Sequence, residues 1–140
     1  MKIDSFDRVL MAVKDLGAAS KRFSDLLGFK FDEGGVDESQ NVKYTRSPEG
    51  LEFIQSTSPD GPVAKFIEQR GEGLYALIFK VSDMGSAIKE MEKKGLRLVA
   101  NPTTGGLEEA YFHPRDSHGV MIVLCKYEAK HGATIAESQN

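Results

Sequence analysis

The chain has 140 residues, 40% hydrophobic and 28% charged, a length that fits one domain or two half-domains sharing a core. Eighteen Lys and Arg against 21 Asp and Glu give a net charge of −3, which argues against nucleic-acid and anionic-membrane binding, both of which need clustered positive charge. No apolar run approaches the ~18–20 residues that span a bilayer, and the first residues, MKIDSFDRVL, carry acid where a signal peptide would be apolar. Cys125 is the only cysteine, so neither an intrachain disulfide nor a Cys-based zinc site can form. A soluble, cytoplasmic globular domain is expected.

The first element is an alternating apolar stretch from Phe6 to Val13, which reads as a strand. Asp15 then suits a helix N-cap, its carboxylate accepting from an amide of the first turn. The helix that follows carries Leu16, Ala19, Phe23, Leu26 and Leu27 at helical spacing and ends at Gly28, a candidate left-handed cap. Phe29-Lys30-Phe31 reads as a second strand. Two more follow, Val42 to Arg46 and Leu51 to Gln55, around the turn Ser47-Pro48-Glu49-Gly50. Pro62 to Arg70 reads as a linking helix with proline at its first position.

At Leu74 the pattern starts again. VKDLGAASKRF, from Val13 to Phe23, returns as VSDMGSAIKEM, from Val81 to Met91, 68 residues later. The strand Leu74 to Val81 precedes Asp83 as N-cap. A helix with Met84, Ala87, Ile88 and Met91 on one face follows and ends at Gly95. Strands are then expected over Leu96 to Val99, Glu108 to His113 and Val120 to Lys126, with a turn at Pro114–Gly119. The unit is therefore strand, helix, three strands, repeated. It predicts an α+β fold of two βαβββ modules, residues 4–57 and 73–127, joined by a helix over 58–72. The tail, 128–140, has no apolar face and is expected to be loose.

Generic catalytic motifs are absent: there is no Gly-rich phosphate loop, nucleophile elbow or Cys-x-x-Cys. His113 and His118 flank a turn containing Asp116, but solvated turn residues explain them better than a metal clip, which needs three or four convergent ligands. His131 falls in the tail. Cys125, in a strand, reads as a small buried hydrophobe. Lys65 and Arg70 on the linking helix read as a solvated face.

Ala12-Val13-Lys14-Asp15-Leu16, the block Ser58 to Leu74 with PVAKFIEQRGEGL, Gly105-Gly106, Phe112-His113-Pro114 and Gly119-Val120-Met121-Ile122 carry a family likeness. They resemble the vicinal oxygen chelate superfamily of glyoxalase I, extradiol dioxygenases and bleomycin-resistance proteins. Within it they are most similar to the methylmalonyl-CoA epimerase branch, from Phe6 to Cys125. The resemblance implies an open, cup-shaped, eight-stranded mixed sheet with helices outside, and a homodimer. It also implies one divalent metal held by two residues from each half, with a carboxylate beside it that moves a proton.

Carried over one at a time, the implied metal positions fall on Arg8, Glu52, Ala76 and Val123, and the implied proton-moving carboxylate falls on Tyr44. Arg8 and Ala76 are separated by the repeat offset itself. Ala76 and Val123 have no donor atoms, and a guanidinium stays protonated and cannot ligate. No bound metal and no other cofactor is expected. The Arg8 guanidinium is expected to take the place of the lost cation and to pair with Glu52. Tyr44 would donate a hydrogen bond or relay a proton, and Ala76, Val123, Leu10 and Ile54 would meet an apolar part of the ligand. The bland alternative is a buried ion pair kept for stability alone. Two functions follow from the resemblance. One is a metal-independent isomerase, epimerase or lyase of an enolisable carbonyl or acyl-CoA thioester. The other is a non-catalytic small-molecule binder of the bleomycin-resistance type.

Overall fold

The repeat sets the element boundaries. In the computed structural model, which describes residues 1–128, strand β1 (Ser5–Ala12) and strand β5 (Gly73–Lys80) begin and end at repeat-related residues. Helix α1 (Leu16–Leu27) and helix α3 (Met84–Lys93) likewise start at equivalent positions. Asp15 accepts from the Ala18 amide at 3.0 Å and Asp83 from the Ser86 amide at 3.0 Å, which satisfies one otherwise unpaired amide at each helix start. Gly28, in the left-handed region at φ 73°, donates to the Ser24 carbonyl. Gly95, also left-handed, donates to Glu92, and Leu96 donates to Met91, the paired closure of a Schellman motif.

The remaining elements are β2 (Gly35–Asp37), β3 (Val42–Ser47), β4 (Leu51–Ser56), α2 (Pro62–Arg70), β6 (Leu98–Ala100), β7 (Thr103–Thr104), β8 (Leu107–Phe112) and β9 (Met121–Lys126), with a 3-10 turn at Pro114–Asp116. Two expected strands move. Phe29-Lys30-Phe31 is not a strand: Phe31 instead stacks on Phe53 with ring centroids 5.0 Å apart, and β2 forms six residues later. Only the end of the Leu96–Val99 stretch becomes strand, because the Schellman closure occupies Leu96. β7, two residues long, adds to the expected strands. The tail from residue 129, with His131, lies outside the described residues.

The chain divides into two compact units, residues 9–74 and residues 1–8 with 75–128. Each pairs its strands in the same way. In the first unit β1 runs parallel to β4, β3 is antiparallel to β4, and β2 is antiparallel to β3. In the second, β5 runs parallel to β9, β8 is antiparallel to β9, and β6 and β7 are antiparallel to β8. These are two βαβββ modules with mixed pairing, and the linking helix runs between them in the sequence.

Because strand side chains alternate between faces, each unit has a helix-covered face and an opposite one. In the first unit Phe53 meets Phe23 of α1, centroids 5.1 Å apart, and Gln55 accepts from the Leu16 amide. The odd-numbered residues of β4 therefore face α1. Leu16, Ala19 and Phe23 are half-buried there, but Leu26 and Leu27, expected on the same face, are exposed. In the second unit Val81, Met84, Ala87, Met91, Ala110, Phe112 and Leu124 form the core under α3. Since each cap carboxylate holds a helix start, Asp83→Ala should destabilise the protein by about 1 kcal/mol in urea unfolding. Asp83→Asn should cost far less.

Candidate functional site

The faces opposite the helices hold the charged side chains. In the first unit the register places Leu10 beside Glu52, Ile54 beside Tyr44 and Arg46 beside Glu52. Tyr44, Arg46, Glu52, Ile54 and Leu10 thus share the face turned away from α1. Leu10 and Ile54 are buried, and so are Arg46 and Glu52, at 4% and 5% exposure. Arg46 Nε lies 3.3 Å from Glu52 Oε1, and the guanidinium carbon sits 4.5 Å over the Tyr44 ring. Arg46 was not among the expected site residues, although its position two residues after Tyr44 in an alternating strand puts it on the same face.

The backbone is shaped to seat Tyr44. A Cβ on Gly34, which is left-handed, would come within 2.0 Å of the Tyr44 carbonyl oxygen, and one on Gly35 within 2.6 Å of the phenol oxygen. Glycine is the residue that permits so close an approach. Asp32, just upstream, accepts from the Gly34 amide, the Thr45 hydroxyl and the Arg46 amide. One carboxylate thereby ties the turn before β2 to β3.

In the second unit the register pairs Ala76 with Met121, Ile78 with Val123 and Val123 with Tyr111, and it pairs Glu109 with Cys125. Ala76, Val123, Cys125, Glu109 and Tyr111 therefore share the face turned away from α3, and all five are buried. Arg8, 2% exposed, is bound within this unit. Its Nη1 pairs with Asp7, and its Nη2 donates to Glu109 Oε2 at 2.8 Å. The Tyr111 hydroxyl donates to Glu109 Oε1 at 3.1 Å, and the Tyr127 hydroxyl donates to Asp7. Lys80 Nζ lies 3.9 Å from the centre of the Tyr127 ring. A guanidinium this dry is held charged by two carboxylates, as burial requires. Arg8 is among the expected site residues, whereas its partners Asp7 and Glu109 are not. Asp7 looked like one more polar residue in a strand, and Glu109 comes into reach only through the β8–β9 register.

Burial also governs the protonation of the unit. It pushes the Cys125 thiol up to about 12, with the Asp7 carboxylate adding to the effect, so this cysteine is an inert core residue and not a nucleophile. Burial and the bond to Asp7 push the Tyr127 hydroxyl up as well. At the Pro114–Gly119 turn, His113 Nδ1 accepts from the Arg115 amide and Asp116 pairs with Arg97. His113 and Asp116 each have a local structural partner there.

The positions at which the family resemblance implies metal ligands do not fit a divalent ion. Ala76 and Val123 supply no donor atom, Arg8 is a cation bound to carboxylates, and the Glu52 carboxylate is engaged by Arg46. Among the described residues no group of three or more His, Cys, Asp or Glu side chains is arranged to hold an ion.

With two βαβββ modules and these strand-borne positions in place, the class is defined. The chain matches the Glyoxalase/Bleomycin resistance protein/Dioxygenase superfamily over residues 7–112 and belongs to it. Among individual proteins, it is 26% identical to the uncharacterized protein YqjC of Bacillus subtilis, over 89% of this chain and 93% of that one. It is 24% identical to the mitochondrial methylmalonyl-CoA epimerase of Mus musculus, over 88% and 73%. A structure of a Streptomyces coelicolor methylmalonyl-CoA epimerase variant in complex with 2-nitronate-propionyl-CoA superposes with a TM-score of 0.84. The two are 26% identical, and the match covers 91% of this chain and all of that one. A methylmalonyl-CoA epimerase in complex with methylmalonyl-CoA and ammonium also gives 0.84, at 25% identity, over 93% and 99%. Among the described residues no helix is long and apolar enough to cross a membrane.

Two predictions follow from the site. Arg46→Leu removes a charged partner of the buried Glu52 carboxylate and should destabilise the fold by about 3 kcal/mol, part of it recovered in the Arg46→Leu/Glu52→Leu double variant; urea titration checks both. An unfolded Cys125 thiol ionises near its ordinary value of 9.0, whereas the folded one holds its proton to about 12. The folded state thus binds more protons between those values, and its resistance to urea should fall as pH rises through that window. The fall should be shallower in Cys125→Ala.

Proposed function

We propose that this chain is an isomerase of the epimerase type, acting on an acyl-CoA thioester with an acidic carbon next to the carbonyl. Arg8 serves as the electrophile in place of a metal ion. The observation that carries this reading is a guanidinium 2% exposed, clamped by Asp7 and Glu109, at a position where the family resemblance implies a metal ligand. The likeness to methylmalonyl-CoA epimerases across nearly the whole chain supports the substrate class.

The chemistry needs little more than a fixed cation and a proton carrier. As the α-carbon loses its proton, the C–H electron pair moves into the thioester and the carbonyl oxygen gains negative charge. A preorganised cation in a water-poor setting stabilises that oxygen without reorganising. Clamping by two carboxylates fixes the guanidinium plane beforehand, so no rotamer freedom is lost at the moment of reaction. Glu52 or Tyr44 takes the proton, and its return to the opposite face inverts the centre. The apolar Ala76, Val123, Leu10 and Ile54 accommodate the acyl part of the ligand. A homodimer working without a metal cofactor is part of the same proposal.

A second reading, a binder that sequesters a small molecule, draws on Ala76 and Val123, apolar side chains at positions where the family resemblance implies metal ligands. One experiment separates the two. Chelator-treated protein is incubated in deuterated water with methylmalonyl-CoA and other acyl-CoA thioesters, and α-deuteration is followed by NMR. Exchange is expected for at least one thioester, and Arg8→Met should lower it by about 100-fold or more. Tight binding with no exchange would establish sequestration instead. Exchange abolished by the chelator would overturn the metal-independent mechanism.

A further inference from the structure

We infer that Glu109 is a proton-transfer residue of this chain, with Tyr111 positioning it; this rests on the isomerase reading above. Three observations converge on it. The first is the repeat. Ile54 faces Tyr44 across β4 and β3, and its repeat mate Cys125 faces Glu109 across β9 and β8. The equivalence of β4 and β9 is itself fixed by register, since Leu10 lies beside Glu52 and its mate Ile78 beside Val123. Glu109 therefore occupies, in the second module, the place that Tyr44 occupies in the first.

The second observation is distance. Glu109 Oε2 lies 2.8 Å from Arg8 Nη2. A carbonyl oxygen held by the same guanidinium would sit about 2.8–2.9 Å from a nitrogen of it. The α-carbon is two bonds beyond that oxygen. A carboxylate and an α-proton that share one small planar cation as anchor are within direct reach of each other, which is the first requirement for a general base.

The third is the setting. Glu109 is buried, shares its sheet face with the small apolar Ala76 and Val123, and has its other oxygen held by the Tyr111 hydroxyl at 3.1 Å. The phenol fixes the carboxylate's rotation, leaving its plane defined relative to Arg8. An epimerisation delivers the proton to the face opposite the one it left. Two carriers serve that geometry better than one, and Glu109 supplies a carrier besides Glu52 or Tyr44. In the balanced step, the α-C–H bond breaks as an O–H bond forms on Glu109, and the electron pair resides on the thioester oxygen beside Arg8. The reverse step releases the proton to carbon.

The test uses the full-length chain with methylmalonyl-CoA in deuterated water. Glu109→Gln keeps the side-chain size and hydrogen-bonding capacity but cannot accept the proton. It should reduce α-exchange by about 100-fold or more while the dissociation constant of the thioester changes by less than about fivefold. Added formate should restore part of the exchange in Glu109→Ala, a rescue that a purely structural role would not produce. Tyr111→Phe should lower the turnover number with little change in KM. Exchange by Glu109→Gln within about threefold of the parent chain would overturn the assignment, as would a loss that only parallels weakened binding and shows no rescue by formate. Should Glu109→Gln fail to fold, Glu109→Asp decides. Retraction by one methylene should slow exchange at least about tenfold at unchanged KM, and an unchanged rate overturns the assignment. A parent chain that binds thioesters but exchanges none of them would instead refute the isomerase reading, and Glu109's role with it.

Discussion

A guanidinium buried to 2% exposure is the constraint around which the second unit is built. Taking a cation out of water costs several kcal/mol unless fixed charges and hydrogen bonds compensate it. Asp7 and Glu109 provide that compensation, and each carboxylate is in turn held by a tyrosine hydroxyl, Tyr127 on Asp7 and Tyr111 on Glu109. The chain Tyr111–Glu109–Arg8–Asp7–Tyr127 draws on β1, β8 and the residue after β9. Once the strands are in register, none of its members can move alone without stranding a neighbour. Removing any one of them takes a hydrogen-bond or ion-pair partner from a buried neighbour.

The first unit repeats the arrangement on a smaller scale. Arg46 and Glu52 are buried together on the face turned away from α1, with Tyr44 stacked against the guanidinium. In the second module the face under α3 is an apolar core, and in both modules the opposite face carries glutamate and tyrosine, with arginine in the first. Apolar packing and buried charge thereby fall on opposite sides of the strands of the second module. A substitution under α3 alters packing, and one on the opposite face alters charge.

Much of the architecture was legible in the sequence because the repeat is local. Asp15 and Asp83 mark helix starts through side-chain chemistry alone, and Pro62 and Arg70 bracket α2 as the linking block predicts. What failed was decided by tertiary contact. Phe29 to Phe31 alternates like a strand, but Phe31 is drawn onto Phe53 and pairing begins only where Gly34 and Gly35 let the backbone approach Tyr44. Leu26 and Leu27 have helical spacing, yet both are exposed at the end of α1. Arg8 stands out in the sequence because a cation replaces an expected ligand within a family pattern. Asp7, Arg46 and Glu109 were missed because their roles depend on which strands lie side by side, and a charged residue in an alternating stretch looks solvated until register is known.

The claim on which the chemistry depends is that the Arg8 guanidinium, without a metal, meets the negative charge that develops on the substrate. The most direct measurement is the affinity for 2-nitronate-propionyl-CoA, whose planar nitronate carries fixed negative charge beside the thioester much as an enolate would. It is to be determined by calorimetry before and after chelation, in the parent chain and in Arg8→Met. A guanidinium electrophile predicts tight binding that the chelator leaves unchanged and that Arg8→Met weakens by about 100-fold or more. Binding that collapses on chelation, or that survives the loss of Arg8, would contradict it.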